Sequence, residues 1–274
     1  MLCQIWRCLR KEYKVSMRGD DMEIKQSTWE EIIESERQLV LGADTRYGKY
    51  SHLARACSIF LSRSIVTVDF TRHETFGRLF ALLKKHHMLA LLSTLRLHKV
   101  QSMMNLRQTL EAGAAAAFAI ANPEREHFVD IDANGILDPA KALAGKRYGW
   151  LETNFPKSSE SIKSKKDQIN VMTSHANIVS ANQTFRVNER RDWIAAPFFD
   201  VEDDYYVKGD LWFITSIAID LMDLLYQVNE GHGAIEFMSD FPAYLMHTAR
   251  ENAGLHAEIT STDRYKQAIQ RMQT

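Results

Sequence analysis

The sequence predicts an all-α fold: a multi-helix bundle with long central helices and one small β-hairpin near residues 128–137. Apolar residues recur at spacings of three, four and seven through residues 76–122, as they do on one face of a helix. Residues 211–228 are apolar around most of a helical circumference, which predicts a second central helix. The 274 residues include only 5 Pro and 12 Gly, which favours helices over a sandwich or a barrel. Hydrophobic residues make up 45% of the chain, which is enough to build a core.

Composition limits the class of protein. A net charge of -1 and a pI near 6.8 give no overall attraction to nucleic acid or to an anionic membrane. The 3 cysteines form no CxxC pair, which fits a reducing compartment better than a disulfide framework. We therefore predict a cytoplasmic protein without membrane contact. We expect residues 1–26 to be a peripheral extension and residues 27–274 to form a single helical domain, because the two apolar helices need one shared core.

Local signals place the boundaries of the first helices. Ser27 followed by Glu30 has the spacing of a capping box and predicts the first helix start. A continuous helix over 76–122 would be on the order of 65 Å long. A break is therefore expected at 84–87, where two lysines and two histidines follow one another. Pro123 ends the helical pattern.

The segment after Pro123 has two interpretations. An Asn-Gly pair between two short apolar runs predicts the hairpin over 128–137. Asp130, Asp132 and Asn134 also match the start of a calcium loop, but Lys141 stands where that loop needs a glutamate. The hairpin is therefore favoured, and we predict no metal site.

The second half of the chain reads as further helices around one irregular segment. Residues 183–209 mix arginines, aromatic residues and acids, and we interpret them as a long loop folded over the bundle, with nucleic-acid binding as the alternative. Start signals predict further helices at Asp138–Pro139, at Pro156, at Asp210, near Ala234 and near Asp263.

Three predicted helices carry polar side chains on otherwise apolar faces. Arg107 points inward and Glu111 follows it by one turn, His175 falls within an apolar arc, and Asp220 and Asp223 form a narrow polar seam. Buried polar groups need partners, so we predict that these five residues form one cluster, in which Arg107 pairs with Glu111 and an aspartate. Such a cluster is either a structural clamp between helices or a ligand site.

A family resemblance rests on these residues. The helical order, the Arg107–Glu111 turn and the SHAN segment at Ser174–Asn177 resemble uncharacterised bacterial helical proteins that are compared with the HEPN superfamily of nucleotide- and RNA-binding bundles. The resemblance covers roughly residues 27–230 and implies RNA or nucleotide ligands. HEPN ribonucleases carry an arginine, four to six further residues and a histidine. That spacing occurs here at Arg46…His52 and Arg250…His256.

No glycine-rich phosphate loop, GxSxG elbow, HExxH or CxxC pair occurs in the sequence. We therefore expect a soluble bacterial interaction or sensing protein without catalysis and without a cofactor. The alternatives are an HEPN-like ribonuclease or toxin and phage-defence component, and a small-molecule or nucleotide-binding helical bundle. A homodimer is compatible with the sequence.

Overall fold

The computed structural model describes residues 15–16, 27–131, 134–135, 137–140, 142–173, 186–187, 193–195, 197–200 and 203–273. These ranges contain ten α-helices, which confirms the predicted all-α class. The helices are α1 (Trp29–Leu41), α2 (Ala43–Tyr47), α3 (Lys49–Arg63), α4 (Phe70–Leu95), α5 (Lys99–Ala121), α6 (Leu143–Asn154), α7 (Pro156–Thr173), α8 (Asp204–Glu230), α9 (Phe241–Ser261) and α10 (Asp263–Gln273). The strands are β1 (Val15–Ser16), β2 (Ile65–Val68), β3 (Val129–Ile131), β4 (Leu137–Pro139), β5 (Arg186–Val187), β6 (Trp193–Ala195) and β7 (Ile235–Phe237).

The predicted long helix is a pair of antiparallel helices, α4 and α5. The break predicted at 84–87 is wrong, because the chain turns at 96–98 instead. Leu97 occupies the left-handed region with φ 60°, a conformation that costs roughly 1–2 kcal/mol for a residue with a side chain. The backbone N–H of Asp200 donates to the Leu97 carbonyl at 2.8 Å and helps to hold this turn. Residues 197–200 therefore lie against the bundle, as the loop interpretation expects. The rest of that interpretation is wrong where the structure describes it, because 186–187 and 193–195 are strands and 204–209 belong to α8.

Helix α4 continues through the predicted break because His87 is fully buried and bonded on both sides. Its Nδ1 lies 3.2 Å from the Ser58 hydroxyl, and its Nε2 lies 3.3 Å from the Ile214 carbonyl oxygen. The imidazole thus links α3, α4 and α8. Two consecutive histidines are typical of a polar surface, but His87 belongs to the core.

Helices α5 and α8 approach closely at a glycine. A Cβ placed on Gly113 would lie 2.6 Å from Leu221 Cδ2, a distance that real Cβ contacts do not show. The surrounding run Ala112–Ala119 is buried, as predicted for a small and apolar stretch. One contiguous apolar core joins the two halves of the described chain. It includes Leu61 of α3, Phe76 of α4, Leu110 of α5, Ile217 of α8 and Phe241 of α9.

Helix α8 is the one helix among the described residues that is long and apolar enough to cross a membrane. However, 67% of its most apolar window is buried inside the protein. Such burial is typical of the core helix of a soluble protein, in which other helices take the place of lipid.

The first helix is capped one residue later than predicted. The hydroxyl of Thr28 accepts from the backbone N–H of Glu31, and the Glu31 carboxylate accepts from the Thr28 N–H. This reciprocal capping box replaces the predicted pair Ser27 and Glu30. Both pairs have the required spacing, so spacing alone did not distinguish them.

Asp210 is not the cap of α8. The helix begins six residues earlier, and the Asp203 side chain accepts from the Tyr205 N–H at its start. Asp210 lies inside the helix, 3.2 Å from the ammonium group of Lys99. Between the two aspartates, Val207 is buried and the Tyr205 hydroxyl donates to the Ile259 carbonyl at 3.5 Å. This packing extends the helix beyond its sequence signal.

The predicted hairpin is confirmed, and β3 pairs with β4 in antiparallel register from Val129 opposite Pro139. Asp138 and Pro139 therefore belong to a strand, and the helix predicted to begin there begins at Leu143. The antiparallel pair β2 with β7 and the three-stranded antiparallel sheet in the order β1-β6-β5 were not predicted. Strand β7 occupies part of the helix predicted from Ala234, which begins at Phe241 instead.

Candidate functional site

Helix α7 contacts both α5 and α8. Its buried residues Ile162 and Ile169 are seven apart, so they lie on one stripe that faces the bundle. Polar residues flank this stripe on both sides and contact the two neighbouring helices. They are Ser161 and Lys165 toward α8, and Lys166 and Asn170 toward α5.

Helices α6 and α7 follow one another along the chain and contact each other, and we call this pair the α6–α7 hairpin. On the α5 side of α7, Glu111 accepts hydrogen bonds from three side chains of this hairpin. Arg147 donates to the Glu111 carboxylate and also to its backbone carbonyl, at 3.3 Å. The Tyr148 hydroxyl donates to Oε2 at 2.9 Å, and the Lys166 ammonium group lies 2.6 Å from Oε1. Lys166 also donates to the Tyr148 hydroxyl at 2.9 Å. These residues, together with Arg107 and Asn170, form the Glu111 cluster.

Arg107 lies one turn before Glu111 on α5, and its guanidinium donates to the side-chain oxygen of Asn170. The predicted pairing of Arg107 with Glu111 and an aspartate therefore differs from the structure. Helix α7 runs antiparallel to α5, so Lys166 faces Glu111 and Asn170, one turn later, faces Arg107. A cation from another helix takes the place that Arg107 was expected to fill.

Burial and ion pairing compete in this cluster. Burial raises the pKa of Glu111, but the hydrogen bond from Lys166 and the charges of Arg147 and Lys166 outweigh it, so the pKa is lowered. Burial lowers the pKa of Lys166, but its bonds to Glu111 and Tyr148 outweigh this effect and raise the pKa. Burial also raises the pKa of Tyr148. At neutral pH the carboxylate and the ammonium group are therefore charged, and the phenol keeps the proton that it donates.

Positive charge exceeds negative charge in the Glu111 cluster. The three cations Arg107, Arg147 and Lys166 accompany the single carboxylate of Glu111. The Arg147 side chain is 8% exposed, and its Nε atom is buried without a hydrogen-bond partner. Within the described part of the chain, the one hydrogen bond of Arg107 goes to a neutral amide. Two positive charges of the cluster are thus left without a carboxylate of their own, which is unfavourable for partly buried groups.

On the α8 side of the same helix, the cation Lys165 has a carboxylate of its own. The Lys165 ammonium group and the Ser161 hydroxyl both donate to the Asp220 carboxylate. One cation therefore meets one anion there. Asp223 accepts from Gln227 within α8 at 2.7 Å. Burial raises the pKa of Asp223, Gln227 opposes this, and the charges of Asp220 and Glu230 raise the pKa further.

Of the five predicted site residues, Arg107 and Glu111 lie on the α5 side of α7, and Asp220 lies on the α8 side. Asp223 bonds within its own helix, and His175 lies outside the described residues. The partners that α6 and α7 supply were not predicted. Two of them, Arg147 and Tyr148, come from a short helix without a clear periodic pattern. The matching four-residue spacings of 107 with 111 and 166 with 170 could have indicated the contact.

Other reactive residue types have structural surroundings. Burial raises the pKa of the Cys57 thiol to about 12, so it is not a thiolate at neutral pH. Among the described residues, no group of three or more His, Cys, Asp or Glu side chains is placed to hold a metal ion. The residues with HEPN-like spacing have separate contacts. These are Arg46 with Asp204, His52 with Asp44, Arg250 with Met246 and His256 with Trp212.

Comparisons with protein-family models, with curated proteins and with solved structures find no match. Function is therefore inferred from the charges and contacts of the Glu111 cluster.

Proposed function

We propose that the protein is a helical binding and sensing protein that takes a small, negatively charged ligand at the Glu111 cluster. The observation that carries this proposal is the excess of two positive charges among partly buried groups. Counter-charge that the described protein does not supply is available from a bound anion. Arginine is the side chain best suited to such binding, because its planar fork of N–H groups matches carboxylate and phosphate oxygens.

The two sides of α7 distinguish a binding site from a structural clamp. A clamp needs a cation and a carboxylate in equal number, as Lys165 and Asp220 show on the α8 side. The α5 side has three cations for one carboxylate, and Arg147 keeps a buried donor without an acceptor. Polar capacity that the fold itself does not use is typical of functional sites.

The position of the cluster favours a sensing role. Arg107 and Glu111 belong to α5 in the centre of the bundle, whereas Arg147, Tyr148 and Lys166 belong to the α6–α7 hairpin. An anion that contacts both groups connects the hairpin to the bundle. Its binding therefore stabilises one arrangement of the hairpin, which a partner can recognise.

A thermal-shift screen at low salt tests the proposal. The panel contains inorganic phosphate, nucleotides and dicarboxylates, with uncharged nucleosides and sugars for comparison. Anions should raise the melting temperature, since a ligand that binds only the folded state stabilises it. Arg107→Gln should remove this rise. Arg37→Gln should retain the rise in melting temperature, because Arg37 belongs to α1 and forms an exposed ion pair with Glu34 instead of contacting the Glu111 cluster. A flat response to the whole panel, or an equal rise in Arg107→Gln, would contradict the proposal.

An HEPN-like ribonuclease or toxin component remains the alternative, and one observation favours it. The Tyr50 hydroxyl of α3 donates to the Leu255 carbonyl of α9 at 3.2 Å, so the helices that carry His52 and His256 touch. This alternative predicts toxicity on expression that His52→Ala or His256→Ala relieves. Toxicity that survives both changes would exclude these histidines.

We also propose a cytoplasmic location and a bacterial, HEPN-like relationship, both of which rest on the sequence. Three cysteines without a CxxC pair and the burial of α8 within the bundle support the first. Cell fractionation with antibody detection tests it, and recovery in a membrane pellet that resists high salt would contradict it.

A further inference from the structure

We propose that the ligand of the Glu111 cluster carries a phosphate group, and that Glu111 occupies the place of that group in the free protein. This inference rests on the proposed binding function and names its ligand class. It also assigns Glu111 a role opposite to that of its neighbours: the carboxylate competes with the ligand.

The charge of the cluster fits a phosphate better than a carboxylate. Arg107, Arg147 and Lys166 provide three positive charges, and the ligand faces all three once Glu111 is displaced. A phosphate monoester carries about −1.5 to −2 charges at neutral pH and can balance most of this charge. A single carboxylate would balance only one of the three, as Glu111 does in the free protein.

The donors of the cluster also outnumber the oxygens of Glu111. Arg147 and Tyr148 both donate to Oε2, and Lys166 binds Oε1. The Nε–H of Arg147 then remains buried without an acceptor. A phosphate group has three terminal oxygens that accept hydrogen bonds, so it can serve the donors of Arg147, Tyr148 and Lys166 together.

Glu111 resembles a bound anion in its contacts. Its carboxylate is held almost entirely by side chains of another structural unit, the α6–α7 hairpin, and its side chain is 26% exposed. An incoming phosphate binds these same donors and displaces the carboxylate toward solvent. Arg107 lies one turn away and donates to Asn170 rather than to Glu111, so it is available to attract the ligand before the exchange occurs.

The two residues therefore have opposite expected effects on affinity. Glu111→Gln keeps the size of the side chain but removes the competing charge, so phosphate should bind about tenfold more tightly or better. Arg107→Gln removes one attracting charge, so phosphate should bind about tenfold more weakly. Asp220→Asn is the matched control, because it removes a carboxylate from the other side of the same helix. It should change the affinity by less than about twofold.

Isothermal titration calorimetry on the full chain measures these affinities with inorganic phosphate, adenosine monophosphate, adenosine and succinate. Tighter binding of adenosine monophosphate than of inorganic phosphate identifies a phosphate ester as the ligand, and the reverse order identifies the free anion. Circular dichroism establishes that each variant is folded. If Glu111→Gln does not fold, Glu111→Asp replaces it. The shorter side chain withdraws the carboxylate from Lys166, so this variant should also bind phosphate more tightly than wild type.

The outcomes separate this inference from the proposed function. Unchanged or weaker phosphate binding in Glu111→Gln would overturn the assignment of Glu111 as a competing anion. Binding of succinate but not of phosphate, with loss in Arg107→Gln, would leave the anion site intact and overturn the phosphate class. An absence of binding by every anion in wild type and in Glu111→Gln would overturn both proposals.

Discussion

The centre of the bundle and the α6–α7 hairpin are held in different ways. Helices α4, α5 and α8 meet through apolar side chains, through the close contact at Gly113 and through a buried, uncharged His87. The hairpin adds a smaller apolar contact, in which Leu151, Ile162 and Ile169 are buried, and α7 is bound on both flanks by charged side chains. The apolar contacts of the centre provide stability, whereas the charged contacts of the hairpin can change when ions or a charged ligand bind.

The two kinds of contact respond differently to ions in solution. Apolar contacts depend on area removed from water and hardly on ions. Ion pairs weaken as salt increases, and they can exchange one anion for another. A ligand that carries charge is therefore expected to act on the contact between the hairpin and α5, and to leave the apolar contacts among α4, α5 and α8 unchanged. Four predictions test this comparison, in order of decreasing effect.

The largest effect is expected from a cavity in the centre. Leu106 is fully buried in α5, and Leu106→Ala should lower the free energy of unfolding by about 2–5 kcal/mol. Leu82→Ala is the matched control, since Leu82 of α4 is 40% exposed and should lose much less. Urea unfolding at low and high salt measures both. A loss for Leu106→Ala that depends strongly on salt would contradict the view of a charge-independent centre.

The second prediction concerns pH and the buried imidazole. Burial lowers the pKa of His87 from 6.5 to about 4, while the bond to the Ile214 carbonyl opposes this shift. Between these pH values the unfolded chain binds a proton that the folded chain does not, so stability falls as pH decreases. The contribution amounts to about 3 kcal/mol between pH 6.5 and 4. Unfolding curves measured across this range for wild type and His87→Gln should converge at acid pH. Parallel curves would show that His87 does not titrate in this way.

The third prediction removes the charge of Glu111. Glu111→Gln leaves Arg147 and Lys166 without their carboxylate, so we expect a loss of roughly 1–2 kcal/mol at low salt, below the 3–5 kcal/mol of a fully buried pair. The loss should shrink at high salt, where screening weakens the repulsion among the remaining cations. The exposed Glu34→Gln should leave the unfolding midpoint unchanged. A salt-independent loss would indicate that packing, rather than charge, holds the hairpin.

The same contrast explains how much of the fold could be predicted. Repeated apolar spacing identified the central helices, and Asn134 and Gly135 identified the β3–β4 hairpin, because both signals are local. The turn at Leu97 escaped prediction because a leucine in the left-handed region has no sequence signal. Strands β2 and β7 were missed because each is short and its partner lies about 170 residues away in the chain.

The candidate site was predicted only in part for a related reason. Arg107 and Glu111 stood out because they interrupt an apolar face of one helix, which a sequence shows directly. Their partners depend on how α7 packs against α5, and on Arg147 and Tyr148 from a different helix. Pairing within a helix is readable from spacing, whereas pairing between helices depends on packing that a single sequence does not encode locally.

The smallest effect on stability is expected at Arg107, and it decides between a clamp and a ligand site. Arg107→Gln loses one hydrogen bond to Asn170, worth roughly 0.5–1.5 kcal/mol. It also removes repulsion from Arg147 and Lys166, of a size that offsets much of this loss. We therefore expect the free energy of unfolding to change by less than about 1 kcal/mol, whereas breaking a buried ion pair costs about 3–5 kcal/mol.

The two readings of Arg107 diverge further when phosphate is present. Wild type should gain stability with phosphate concentration according to its affinity, and Arg107→Gln should gain far less. The difference between the two proteins is then small without ligand and grows as ligand is added. A clamp predicts the opposite pattern, with a large difference that is the same at every phosphate concentration. Chemical unfolding of both proteins over a phosphate series, with ionic strength held constant by sodium chloride, measures which pattern holds.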